Sequence, residues 1–182
     1  MQDPFFLSKK ENKLNIPNND KSHNLRFTIW MILVSLIVCA DQLSKWFIIK
    51  WIPLYEKISL NSFINITHHK NSGAAFSFLA NAGGWQRWFL ILIAGLVSIV
   101  IIAWLWRIRN KKKNVLSAGL ILVVGGAIGN LIDRILFGHV TDFIQVIFGN
   151  WAFPTFNIAD ASISVGATLL IIDTLFFSGK EN

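Results

Sequence analysis

The sequence predicts an all-α membrane protein of four transmembrane helices, with a small β-structured segment on the outer membrane surface. Three observations carry that expectation. Charged residues make up only 15% of the 182-residue chain while hydrophobic ones reach 53%, against roughly 25% charged in a soluble domain. Four apolar runs are long enough to cross a hydrocarbon core of about 30 Å, which takes about 20 helical residues. Basic residues cluster beside those runs instead of spreading over a surface.

The runs extend from about Phe27 to Ile49, Trp85 to Trp106, Val115 to Leu136 and Ile158 to Phe177. Backbone groups in lipid must bond within their own segment, so each run is expected to be helical. Arg107, Arg109, Lys111, Lys112 and Lys113 separate the second and third runs, and the tail before the first is also basic. Lysine and arginine are retained on the cytoplasmic side, so both termini are expected there. Two segments then face outward, about Lys50 to Gly84 and about Phe137 to Asn157. Trp30, Trp104 and Trp106 fall at inner ends of the spans. Trp46, Trp51, Trp85, Trp88 and Trp151 fall at or near outer ends, as interfacial belts require.

Residues 1–26 read as a disordered basic cytoplasmic tail, 27–178 as the transmembrane domain and 179–182 as a cytoplasmic end. No small-residue cleavage site follows the first apolar run, so it is not read as a signal peptide. The outer β-segment is placed near 51–84, where Phe63 to Thr67 partly alternates and Asn71-Ser72-Gly73 reads as a turn. The net charge of +7 is accounted for by topology and anionic lipid, and nucleic acid is not expected as a partner. The lone cysteine, Cys39, excludes an internal disulfide and is expected to be inert.

Ionisable side chains inside spans cost about 2.5–3.5 kcal/mol each near the bilayer centre, so their placement carries information. Asp41 and Lys45 are four apart on one helix face. Asn130, Asp133 and Arg134 share a face of the third span. Asp142 follows that span, and Asp160 opens the fourth, with Asn157 three residues earlier as an expected helix cap. All of these fall at the outer depth, delivered by separate chain regions. Asp173 and Arg87 are expected to be interfacial charges. Gly125 and Gly129 form a small-xxx-small pair suited to close helix approach.

Two carboxylates in a low-dielectric site share a proton and can activate water as base and acid together. Spacing alone does not select which aspartates pair. Ser44, Ser72 and Ser77 have no evident His-Asp partners. No metal-ligand spacing is present, and His68, His69 and His139 read as structural or interfacial. A transporter or proton relay is the rival class, but it calls for polar groups at several depths and a site near the midplane.

The chain resembles the lipoprotein signal peptidase (signal peptidase II) family. The resemblance rests on DQLSK at Asp41 to Lys45, NSGAAF at Asn71 to Phe76, GGAIGNLIDR at Gly125 to Arg134, VTDF at Val140 to Phe143 and FNIAD at Phe156 to Asp160. It implies an aspartic endopeptidase that cleaves bacterial prolipoproteins just before the diacylglyceryl-modified cysteine of the lipobox. It implies a catalytic pair at Asp142 and Asp160, with Asp133 the competing candidate and expected instead as a structural partner of Arg134 or of neighbouring polar groups. Asp41, Lys45, Asn71, Gly73, Asn130, Asp133, Arg134 and Asn157 are the implied substrate-binding or supporting residues. It further implies action without metal or cofactor in the bacterial inner membrane, near its periplasmic face. Diacylglyceryl prolipoproteins and membrane lipids are the implied partners, with inhibition by globomycin-type compounds; a monomer is expected.

Overall fold

The computed structural model describes residues 18–73 and 83–177. The chain runs α1 (Asn18–Trp51), β1 (Lys57–Ser59), β2 (Ile64–Asn71), α2 (Trp85–Ile108), α3 (Asn114–Phe137), β3 (Val140–Phe148), β4 (Trp151–Ala152) and α4 (Ile158–Phe176). All four helices are long and apolar enough to cross a membrane. The expected tail at residues 1–17, the NSGAAF element beyond Gly73 and residues 178–182 lie outside the described residues.

The helix ends fall close to the expected spans, with one difference. Helix α1 begins at Asn18, nine residues before Phe27, so part of the expected disordered tail is helical. Nothing between Asn18 and Trp51 breaks a helix, since neither proline nor glycine occurs there. The apolar run ends where lipid ends, and the helix continues past it.

Helix α3 is the axis of the bundle. It packs against each of the other three helices. In its most apolar window 61% of residues are buried, against 11%, 17% and 17% in α1, α2 and α4. Those three turn large side chains such as Leu36, Ile99 and Ile171 outward, which in lipid costs nothing. Gly126 and Gly129 let α4 and α1 approach. A Cβ on Gly126 would collide with the Ala159 carbonyl, and one on Gly129 would sit 2.6 Å from Asp41 Oδ2.

The interior divides along the bundle. At the end carrying the basic loop, Val34, Leu105, Leu116, Leu120 and Val124 form a dry core between α1, α2 and α3. At the other end the buried side chains are polar and lie under a sheet.

That sheet has four antiparallel strands in the order β1-β2-β3-β4. The first outer segment supplies β1 and β2, as expected. The second supplies β3 and β4, which the sequence reading did not anticipate. Gly149, with φ 61°, opens the two-residue turn between Phe148 and Trp151, a position that favours glycine in hairpins. A bulge between Ile66 and His69 shifts the β2–β3 register by one residue. It turns Thr67 and His68 inward together, where Thr67 Oγ1 donates to the Glu56 carbonyl and His68 Nδ1 to that of Ile52. Beyond the bulge His69 faces Asp142 and Asn71 faces Val140, so Asn71 and Asp142 share one face of the sheet.

Candidate active site

Helix α4 starts abruptly because Asn157 caps it. Asn157 Oδ1 accepts from the Asp160 backbone N–H at 2.8 Å, and Asp160 Oδ2 accepts from the Asn157 N–H at 3.3 Å, a reciprocal capping box. The cap leaves the Asn157 amide free to work elsewhere. Its Nδ2 donates to Asp142 Oδ1 at 2.8 Å. One fully buried asparagine therefore holds both Asp142, from β3, and Asp160, from the first turn of α4.

Each carboxylate has a second amide holding it from the other side. Asn71 Nδ2 donates to Asp142 Oδ2 at 3.0 Å, and Asn130 Nδ2 donates to Asp160 Oδ1 at 2.7 Å. The Asn130 amide is oriented by Lys45, whose Nζ donates to Asn130 Oδ1 at 3.1 Å. Lys45 is itself buried between Asp41 at 2.7 Å and Asp133 at 3.0 Å. Asp41 Oδ1 accepts the Ala159 N–H in the first turn of α4, where the helix dipole favours a negative partner. Asp133 accepts the Thr141 N–H at the start of β3. The ion triad thus ties α1 to the two elements that carry Asp142 and Asp160.

Asp142 and Asp160 line the same cavity of about 550 Å³, together with Asn71, Asn130 and Arg134. Below this polar end the wall is apolar, with Ala94, Ala127 and Ile163, and Phe153 and Phe156 flank it. Burial first, and then the charge of Asp160, push the Asp142 carboxyl up to about 7, against the pull of its Asn71 and Asn157 hydrogen bonds. A carboxyl near 7 holds or releases a proton at neutral pH, as general acid–base chemistry requires.

Asp133 does not line this cavity. Its oxygens are taken by Lys45, by Gln42 Nε2 at 2.9 Å and by the Thr141 N–H. Of the two kinds of partner expected for Asp133, it bonds the neighbouring polar groups, and among the described residues it makes no ion pair with Arg134. Arg134 instead reaches the Gly73 carbonyl through Nη2 at 2.8 Å and the Asn130 carbonyl through Nη1. The reason is helical geometry: adjacent residues point about 100° apart, so Asp133 faces α1 while Arg134 faces the cavity. Gly73, whose N–H donates to Asn71 Oδ1, completes the turn that brings Asn71 to Asp142.

Two expectations of interfacial charge are corrected. Arg87 donates from Nε to the Arg134 carbonyl, which also accepts the Gly138 N–H, and from Nη2 to the Ile135 carbonyl, so it binds the last turn of α3, where carbonyls run out of intrahelical partners. Asp173 is buried, at 8% exposure. Gln42 was missed. It donates to Asp41, to Asp133 and to the Gly129 carbonyl, and its only signal was adjacency to Asp41 in DQLSK.

A carboxylate pair held by three asparagines in a cavity of a four-helix membrane bundle defines a membrane-embedded enzyme of the aspartic type. Comparison with known proteins agrees. The family model described as signal peptidase (SPase) II matches residues 33–176. A lipoprotein signal peptidase of Acinetobacter baumannii is 49% identical over 159 residues, covering 87% of this chain and 88% of its own. One from Shewanella halifaxensis is 46% identical over 167 residues, covering 92% and 95%. A solved bacterial membrane enzyme superposes with a TM-score of 0.71 at 30% identity, over 85% of this chain and 94% of its own. The chain belongs to the signal peptidase II family.

Proposed function

We propose that Asp142 and Asp160 are the catalytic pair with which this multi-pass membrane enzyme removes signal peptides from prolipoproteins. The observation that carries the assignment is their shared cavity and shared hub: Asn157 bonds both, and no other described aspartate lines that space. One carboxylate, ionised, takes a proton from water as it attacks the scissile carbonyl. The other, protonated, polarises the carbonyl oxygen through a hydrogen bond and then gives that one proton to the leaving amine as the C–N bond breaks, while the proton taken from water stays on the first. Each donor to the pair has a defined role. Asn157 fixes the separation, Asn71 and Asn130 fix the outer oxygens, and the Lys45–Asp41–Asp133 triad holds the scaffold. Arg134 sets a cation at the cavity wall, and its bond to Gly73 holds the turn that carries Asn71.

The finer reading places the cut just before a diacylglyceryl-modified cysteine, with the lipid lying against the apolar lower wall. It places the chain in the bacterial inner membrane as a monomer, with both termini and the basic loop in the cytoplasm and the sheet at the periplasmic face. Residues 27–178 form the working domain, flanked by cytoplasmic ends. Lysine and arginine asymmetry between the two ends supports that orientation. Globomycin-type inhibitors compete for the same cavity. The test is incubation of the purified protein with a diacylglyceryl prolipoprotein and sequencing of the product. A new N-terminus at the modified cysteine, suppressed by globomycin, is the expected result; no cleavage of a competent substrate overturns the reading.

A further inference from the structure

The catalytic cavity opens between α2 and α4 on one flank of α3. A second cavity, of about 600 Å³, opens on the other flank between α1 and α4. Its floor is α3, where Ser117 and Ala118 keep the surface low. Its wall is α1, from Arg26 through Leu33 and Ile37 to Ala40. It ends at Ile158 and Ser162, where α1 and α4 converge on the Asp41–Ala159 hydrogen bond. From Arg26 to Ala40 the wall is unbroken helix, about 21 Å long at 1.5 Å per residue. One leaflet of hydrocarbon is about 15 Å deep, so the groove accepts an extended chain running a full leaflet.

The polar end of this groove is positive. Arg26 lines it and is fixed there, its Nη1 donating to the Lys111 carbonyl at 2.7 Å. Lys111 and Lys112 are exposed in the same loop. Asn114, the first residue of α3, also lines the groove, and the N-cap residue Lys113 puts no side-chain cap on that helix. The first-turn N–H groups of α3 therefore add to an anion-binding end. Among the described residues Asp173 is the acidic side chain at this end of α4, and it is not part of the lining.

We propose that this groove binds one glycerophospholipid with an anionic headgroup. The headgroup phosphate sits against Arg26, Lys111, Lys112 and the start of α3, and one acyl chain lies along the Ser117–Ala118 floor. Charge separates this occupant from the other chain-like molecule in the membrane. A signal peptide carries a positive n-region beside its apolar run, which would meet like charge here. The site is distinct from the catalytic cavity, and lipid retention reads it independently of cleavage.

The test uses the full chain in nanodiscs of phosphatidylcholine doped with phosphatidylglycerol, released and weighed by native mass spectrometry. Retention of one phosphatidylglycerol per chain, preferred over phosphatidylcholine by about tenfold or more, is expected from several basic contacts. Lys111→Gln/Lys112→Gln lowers that preference with Arg26 left in place, and Arg26→Gln lowers it further. Ala118→Phe fills the floor and removes retention of either lipid. All these variants continue to cleave prolipoprotein, which reports that they are folded. Equal retention of the two lipids, or a preference untouched by the charge variants, overturns the proposal. So does displacement of bound lipid by a basic signal peptide, which makes the groove a peptide site.

Discussion

Replacing Lys45 with methionine keeps the length of the side chain and removes its charge. In the folded protein Lys45 Nζ stands 2.7 Å from Asp41 and 3.0 Å from Asp133, and all three side chains are at most 3% exposed. Two carboxylates would be left facing each other without a cation. Breaking a buried pair by removing one partner costs about 3–5 kcal/mol, a large share of a total stability of about 5–15 kcal/mol. The Asp41 bond to Ala159 and the Asp133 bond to Thr141 remain, so the loss is expected at the lower end of that range. Cleavage falls further than stability does, because the Asn130 amide loses the contact that aims its Nδ2 at Asp160. Neutralising all three, as Lys45→Met/Asp41→Asn/Asp133→Asn, recovers most of the stability, since a neutral replacement leaves no uncompensated charge. Denaturant unfolding in detergent, run beside a cleavage assay, measures both effects. A loss below about 1 kcal/mol for Lys45→Met, or a triple variant weaker than the single one, would refute the ion triad as the scaffold of the site.

Other outcomes follow from the same geometry. Asn157→Ala removes the α4 cap, at about 1 kcal/mol, and also releases both carboxylates of the proposed catalytic pair. Its cleavage rate should fall by about a hundredfold or more while the protein stays folded by circular dichroism. Gly126→Leu drives a side chain into the Ala159 carbonyl, and overpacking of that kind destabilises by about 1–3 kcal/mol, visible as a lowered unfolding temperature. The Asp142 carboxyl titrates near 7 in the folded protein against 3.8 ordinarily. The folded state therefore holds a proton that the unfolded chain has released, and stability falls as pH rises from 3.8 through about 7. Unfolding midpoints should drop across that window in the unmutated protein and less so in Asp142→Asn; equal slopes would contradict the raised value.

The spans were legible because lipid imposes one rule on every residue of a segment: about 20 apolar residues with few charges. The depth of the polar cluster followed from the same rule, since every ionisable exception to it but Asp173 was at one end. What the sequence hid was pairing across distance. Strand β3 is built from Val140 to Phe148, but its partners on β2 lie 69 to 82 residues earlier, and no local pattern announces that meeting. The bulge that aligns Asn71 with Asp142 is equally silent, because Thr67 and His68 look like ordinary strand residues until both turn inward. Asp133 and Arg134 illustrate the limit of adjacency. Neighbours in sequence, they serve different sites, one in the ion triad and one at the cavity wall. Arg87 read as an interfacial charge because nothing in one helix indicates that another will end beside it.

The central claim is that Asp142 and Asp160, and not Asp133, do the chemistry. Single-turnover cleavage of a diacylglyceryl prolipoprotein by Asp142→Asn, Asp160→Asn and Asp133→Asn, each verified as folded, tests it most directly. The account predicts no detectable product from the first two and residual cleavage from the third. Full activity in either of the first two, or inactivity confined to a well-folded Asp133→Asn, would contradict it.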